Sequence, residues 1–150
     1  MRVYRIQKAK YAGDISGFGS TLVVGRGHLA SKSPILYTSS NISLAILEYV
    51  VHLTSSVKPP ELLLLTLEVP DASIVTIDHA KLPDNWNEKG YYDNVQRVGT
   101  DWLEGLASLA IMIPSVTSAD NNILVNPRHP DFGSVNIIDS RPITLDDRLI

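Results

Sequence analysis

The sequence predicts an α+β fold, and three observations carry that prediction. Short apolar or β-branched runs suited to strands dominate the chain. Only two segments have the length and pattern of helices, and they interrupt the strands without the regular alternation of a doubly wound parallel sheet. Nine glycines and nine prolines are spread over the 150 residues, as many short elements joined by turns require. No repeat, low-complexity tract or linker divides the chain, so residues 1–150 read as one domain.

Val3-Tyr4-Arg5-Ile6 alternates and reads as a strand. Gly13, Asp14, Ser16, Gly17, Gly19 and Ser20 make residues 11–20 a mobile loop. Thr21 to Val24 is a short strand-like run ending at Gly25, and Ile35 to Thr38 is a strand after Pro34. The best helix runs from Ile42 to Leu53, with Ser40 or Asn41 accepting from its first free N–H groups. Ser55, Ser56 and Pro59-Pro60 stop it. Leu62 to Val69 is a buried strand ending at Pro70, although four successive leucines also suit a helix turn. Ile74 to Ile77 is a strand. Asp93 to Leu106 is a helix, weakened at Gly99 by up to ~1 kcal/mol relative to Ala. Ala110 to Ile113 is a strand stopped by Pro114. Ile123 to Val125 and Val135 to Ile138 are strands on either side of Asn126-Pro127-Arg128-His129-Pro130.

Composition excludes several classes of function. With 44% hydrophobic and 19% charged residues the chain can build a core. Thirteen Lys and Arg against sixteen Asp and Glu give a net charge of −3, the wrong sign for binding a phosphate backbone. The absence of cysteine excludes a disulfide scaffold, a thiolate metal site and a Cys nucleophile, and it suits a reducing cytosol. No run approaches the roughly 18 apolar residues of a membrane span. Charges at Lys8, Lys10 and Asp14 interrupt any signal-peptide pattern at the N-terminus. These features together read as a cytoplasmic domain with no membrane and no direct nucleic-acid contact.

Several residues can carry chemistry. Gly25-x-Gly27-x-x-Ala30 after a strand-like run, with Glu48 beyond it, has the pattern of a dinucleotide fingerprint. That motif needs a helix N-terminus at the pyrophosphate, and Ser31-Lys32-Ser33-Pro34 ends any helix within a turn. Arg26, between two glycines, is either a solvated turn residue or a planar fork for phosphate. Glu48 is the only charged residue from Ile42 to Val51. A carboxylate on an apolar helix has to be paired, hydrogen-bonded or functional; the alternatives to function are a surface pair with His52 at i, i+4 and a buried structural partner for an Arg. Ser115 after Pro114 is an ordinary strand exit and lacks the Gly-x-Ser-x-Gly elbow of a hydrolase nucleophile. Tyr37 at a strand end is a core residue or a ring that stacks on a flat ligand. His28, His52, His79 and His129 lack metal-ligand spacing, so no metal site is expected. Asn126-Pro127-Arg128-His129-Pro130 is stiffened by two prolines, and either supports the core or holds a polar side chain against a cleft.

In order along the chain, these segments resemble the RES domain, the toxin half of bacterial RES–Xre toxin–antitoxin pairs. The resemblance runs from Val3-Tyr4-Arg5-Ile6 through Gly25-Arg26, Ile35-Leu36-Tyr37 and Ser43-Leu44-Ala45-Ile46-Leu47-Glu48 with His52. It continues through Leu82-Pro83-x-x-Trp86, Gly99-Thr100-x-Trp102, Ile113-Pro114-Ser115, Asn126-Pro127-x-His129-Pro130 and Asp146-x-Arg148-Leu149. The family takes its name from an Arg, a Glu and a Ser, matched here by Arg26, Glu48 and Ser115. The chain departs from the family at Val24-Gly25-Arg26-Gly27-His28, where Gly-Gly-Arg-Trp-Asn is usual. The missing aromatic changes a pocket wall or the packing of its loop.

The resemblance implies a fold like the ADP-ribosyltransferase toxins, with small sheets and a few helices around an NAD cleft. It implies that NAD is a substrate, that no further cofactor is needed, and that the nicotinamide–ribose bond is broken. The ADP-ribosyl acceptor is water, phosphate or a protein side chain. On this reading Glu48, Arg26 and Ser115 are the catalytic set, and Arg26, Tyr37 and Ser115 hold the dinucleotide. The implied partner is an Xre-type helix-turn-helix antitoxin, with the toxin a homodimer inside the complex. The alternatives are a protein ADP-ribosyltransferase toxin and a catalytically weakened domain that binds its antitoxin and regulates their promoter.

Overall fold

A computed structural model of the chain describes residues 1–22, 33–53, 60–88 and 93–150. Seven strands form one mixed sheet: β1 (Arg2–Lys8), β2 (Leu36–Ser39), β3 (Leu62–Glu68), β4 (Ile74–Thr76), β5 (Ala110–Pro114), β6 (Asn121–Val125) and β7 (Asn136–Ile143). Their order across the sheet is β4-β5-β6-β2-β1-β3-β7. Only β4 and β5 run parallel, and every other pair is antiparallel. Among the described residues two helices, α1 (Ile42–Val51) and α2 (Asp93–Gly105), join the sheet in an α+β architecture.

The sheet consists of two well-paired halves with a narrow join. β1 pairs with β3 from Arg2↔Glu68 to Lys8↔Leu62, and β2 pairs with β6 from Leu36↔Val125 to Ser39↔Asn122. Between the halves, β1 and β2 pair only at Tyr4↔Ser39. The small sheets expected from the sequence are therefore two parts of one sheet, held at a single bridge.

Side chains alternate across the sheet, so each strand feeds two cores. Val3, Leu36, Leu65, Leu67, Ile123 and Val125 build the cluster on one face. On the other, Ile6, Leu62 and Leu64 meet Ala45 of α1, with Tyr4 and Ile46 packed alongside. Trp102 and Leu103 of α2 pack on Ile35, Ile111 and Leu124. β3 is a strand, and its buried side chains on both faces explain its unbroken leucine run.

Helix α1 starts where Asn41 Oδ1 accepts from the Leu44 N–H at 2.8 Å, which makes Asn41 the cap and not Ser40. It ends at Val51, earlier than the serines and prolines suggest, with His52 as the capping residue. The reading of Thr21 to Val24 as a strand does not hold. Thr21 and Leu22 lie in a 3-10 turn, Phe18–Leu22, and Val23 and Val24 fall outside the described residues. Residues 11–20 also hold defined structure. A second short turn spans Ala9–Tyr11, the Ile35 N–H donates to Ser20 Oγ at 2.7 Å, and Gly17 sits at φ +70°. A Cβ on Gly17 would lie 2.6 Å from the Ile35 carbonyl carbon, so only glycine lets this segment approach β2 so closely. β7 extends to Ile143, beyond its expected end, and includes Pro142. An edge strand tolerates that proline because it has one side without a ladder.

Candidate active site

The register Tyr4↔Ser39, Ser39↔Asn122, Asn122↔Ile113 defines one cross-strand row on the face that α1 covers. Glu48, half-buried on α1, meets this row at its polar end. Its Oε1 accepts three hydrogen bonds, from Ser115 Oγ at 2.8 Å, Asn122 Nδ2 at 2.7 Å and Thr117 Oγ1 at 3.1 Å. No described residue bonds to Oε2, and no cation pairs with Glu48 among the described residues. Three neutral donors on one oxygen fix the carboxylate's orientation.

Each donor is itself held. Ser115, 6% exposed, follows β5, and its Oγ also accepts from the Thr117 N–H at 3.0 Å. The Ser115 N–H donates to the Asp120 carbonyl at 2.9 Å, closing the turn between β5 and β6. Thr117 Oγ1 lies 2.8 Å from Ser115 Oγ. Ser115 Oγ thus donates to the Glu48 carboxylate and lies against the Thr117 hydroxyl.

Tyr37 lies on the same face of β2 as Ser39, two residues away, which is roughly 7 Å along the strand. It is half-buried and packs beside the cluster of Trp102, Ile111 and Leu124. Arg26 lies outside the described residues, as does the Gly25–Ala30 motif around it. The side-chain pair of Glu48 with His52 does not form. The His52 ring meets the Glu48 carbonyl oxygen, with Nδ1 at 2.7 Å, which suits a residue at a helix C-terminus.

The Asn126 segment is a support for the core. Asn126 is fully buried, its Nδ2 donates to the Leu103 carbonyl at 2.9 Å and its Oδ1 accepts from the Arg128 N–H at 3.0 Å. His129 caps the short turn that follows, accepting from the Asp131 N–H at 3.1 Å. Among the described residues no three His, Cys, Asp or Glu side chains gather as metal ligands. No helix among them is long and apolar enough to cross a membrane.

Arg5 is a cation that strand alternation alone does not single out. It lies on the face opposite Tyr4, and its Nη1 donates to the Tyr37 carbonyl at 2.8 Å, across the narrow join of the sheet. Its Nε is buried without a partner. Burial pushes its pKa below the ordinary arginine value, and Asp14 acts weakly in the opposite direction. Asn122, Thr117 and Ser39 are likewise silent in the sequence, because nothing local marks them as neighbours of Glu48.

The fold and site define an α+β domain that braces a single carboxylate over the seam of a two-part sheet. Comparison with known proteins gives this class its family: the chain belongs to the RES domain family, whose sequence profile matches residues 2–146. It is 35% identical over 138 residues to a Toxin Res of Yersinia enterocolitica, covering 88% of each chain. It is 30% identical to a Toxin Res of Photorhabdus laumondii over 100% of this chain and 97% of that one. A Prs ADP-ribosylating toxin of a Sphingobium species is 32% identical, over 93% of this chain and 88% of its own length. A chain of the M. tuberculosis MbcT–MbcA toxin–antitoxin complex shares the fold, with TM-score 0.79 at 15% identity over 95% of this chain and 84% of that one.

Proposed function

We propose that this chain is the toxin of a toxin–antitoxin pair and consumes NAD by cleaving the nicotinamide–ribose bond at Glu48. The observation that carries this reading is the half-braced carboxylate, with Oε1 held by three donors and Oε2 left unbonded by the described residues. As the C–N bond breaks, its electron pair leaves with neutral nicotinamide and positive charge develops on the ribose. A fixed anion whose position does not change during the reaction stabilises that charge. With water as acceptor, a new C–O bond forms, one proton is released and ADP-ribose is the product. Ser115 orients Glu48, Tyr37 lines the nicotinamide side and Arg26 clamps the pyrophosphate. Arg26→Ala then weakens NAD binding about 10- to 100-fold without unfolding the domain, the loss expected for a charge-assisted hydrogen bond. Calorimetric titration measures it, and unchanged affinity assigns Arg26 to a solvated turn.

A second acceptor is favoured by one finding, the relative named as an ADP-ribosylating toxin. Transfer to a protein side chain uses the same bond cleavage with a different nucleophile. Mass analysis separates the two: free ADP-ribose identifies hydrolysis, and protein carrying added ADP-ribose identifies transfer. The proposed partner is an Xre-type helix-turn-helix antitoxin, bound by a toxin homodimer in the cytoplasm where NAD is abundant. The net charge of −3 suits contact with a basic DNA-binding protein and not with DNA itself. Co-expression with the adjacent gene product tests this, with co-purification and restored cellular NAD expected. A lone protein that leaves cellular NAD normal favours the regulatory alternative.

A further inference from the structure

We propose that Asn122 and Ser39 form a positioning pair that sets which oxygen of Glu48 faces the substrate. This rests on the reading of Glu48 as the carboxylate that acts on NAD. The Asn122 amide is polarised from both ends. Ser39 Oγ donates to its Oδ1 at 2.9 Å, and its Nδ2 donates to Glu48 Oε1 at 2.7 Å. An amide can flip, and a flipped Asn122 would turn its oxygen toward the carboxylate. The Glu48 carboxylate, which only accepts, holds the amide nitrogen on its own side, and that leaves the amide oxygen to accept from Ser39. Ser39 is 3% exposed and sits at the single bridge between β1 and β2, so the strand pairing that joins the sheet also fixes the relay.

The consequence is directional. Asn122 reaches Oε1 from the sheet, whereas Ser115 and Thr117 reach it from the turn after β5. Donors from two elements on one oxygen leave the carboxylate little freedom to rotate, and Oε2 keeps a constant aim. Without Asn122, the two hydroxyls from one turn can still bond to Oε1, but they allow the carboxylate to swing about them. Misplacement of a reacting group by about 1 Å can cost on the order of 10²-fold in rate.

The test measures steady-state NAD consumption by the full chain and its Glu48→Gln, Asn122→Ala, Asn122→Asp and Ser39→Ala variants. Asn122→Ala is the discriminating change, because it removes the donor to Glu48 without adding charge, whereas Asn122→Asp sets a second carboxylate against Glu48. A merely structural Asn122 predicts a lowered melting temperature for Asn122→Ala with near-parent kcat in the folded protein. The positioning role predicts that kcat falls at least about tenfold in Asn122→Asp and Asn122→Ala, with KM within about twofold, and falls less in Ser39→Ala. Nitrogen-edited NMR of the Asn122 side-chain amide supplies a second readout, with two distinct proton shifts in the parent that move in Ser39→Ala. Parent-like kcat in folded Asn122→Ala beside an inactive Glu48→Gln overturns this proposal and leaves the NAD reading standing. Parent-like kcat in Glu48→Gln, or no NAD consumption by the parent, overturns both.

Discussion

Glu48→Gln protein folds as the parent does and releases nicotinamide from NAD at least about 10²-fold more slowly. The geometry of the site gives both halves of that expectation. All three donors to Glu48 converge on Oε1, and a glutamine carbonyl can accept the same bonds from Ser115, Thr117 and Asn122. The Gln amide nitrogen then stands where Oε2 was. Size and bracing persist while the negative charge that the proposed reaction needs disappears. Thermal unfolding checks the fold, and chromatography of the reaction mixture checks the rate. A folded variant with parent activity removes Glu48 from the chemistry and makes its hydrogen bonds purely structural.

Asn126→Ala has the largest expected effect on stability. The side chain ties the end of β6 to α2 through Leu103, and holds its own turn through Arg128. The backbone N–H of the same residue donates to the Leu109 carbonyl at 2.8 Å, so the residue joins three segments. At 0% exposure no water replaces the lost amide, and the Leu103 carbonyl and the Arg128 N–H both lose a partner. Such a loss costs roughly 2–3 kcal/mol, or about 4–12 °C in melting temperature for a domain of this size. Scanning calorimetry reads the shift directly. The Glu48 cluster uses none of the Asn126 bonds, so the folded fraction keeps its turnover. A melting temperature equal to the parent's makes this turn dispensable to the core.

The contrast between these two residues shows what a sequence carries. Glu48 is legible because α1 contains no other charge, and an unexplained carboxylate on an apolar helix points to a role. The strands are legible where apolar residues cluster, as in β3 and β5. Asn122 is not, because it opens β6 with two asparagines, a residue type depleted in strands. Its contact with Glu48 spans 74 residues of chain, and that of Ser115 spans 67. Such contacts follow from strand register, which local pattern does not specify. Thr21 shows the opposite failure. Its β-branched neighbourhood suggests a strand, but Gly17 and Ser20 anchor the segment against Ile35 as a turn. For the Asn126 segment the prolines announce rigidity, and burial decides that the rigidity serves the core.

The central claim is that this chain breaks the nicotinamide–ribose bond of NAD. Its most direct test is incubation of the purified full chain with NAD, with nicotinamide and ADP-ribose quantified against time. Nicotinamide should appear in step with NAD loss, matched one for one by ADP-ribose if water is the acceptor. Where ADP-ribose falls short, the difference should be found attached to protein. NAD left intact by the folded parent protein contradicts the claim.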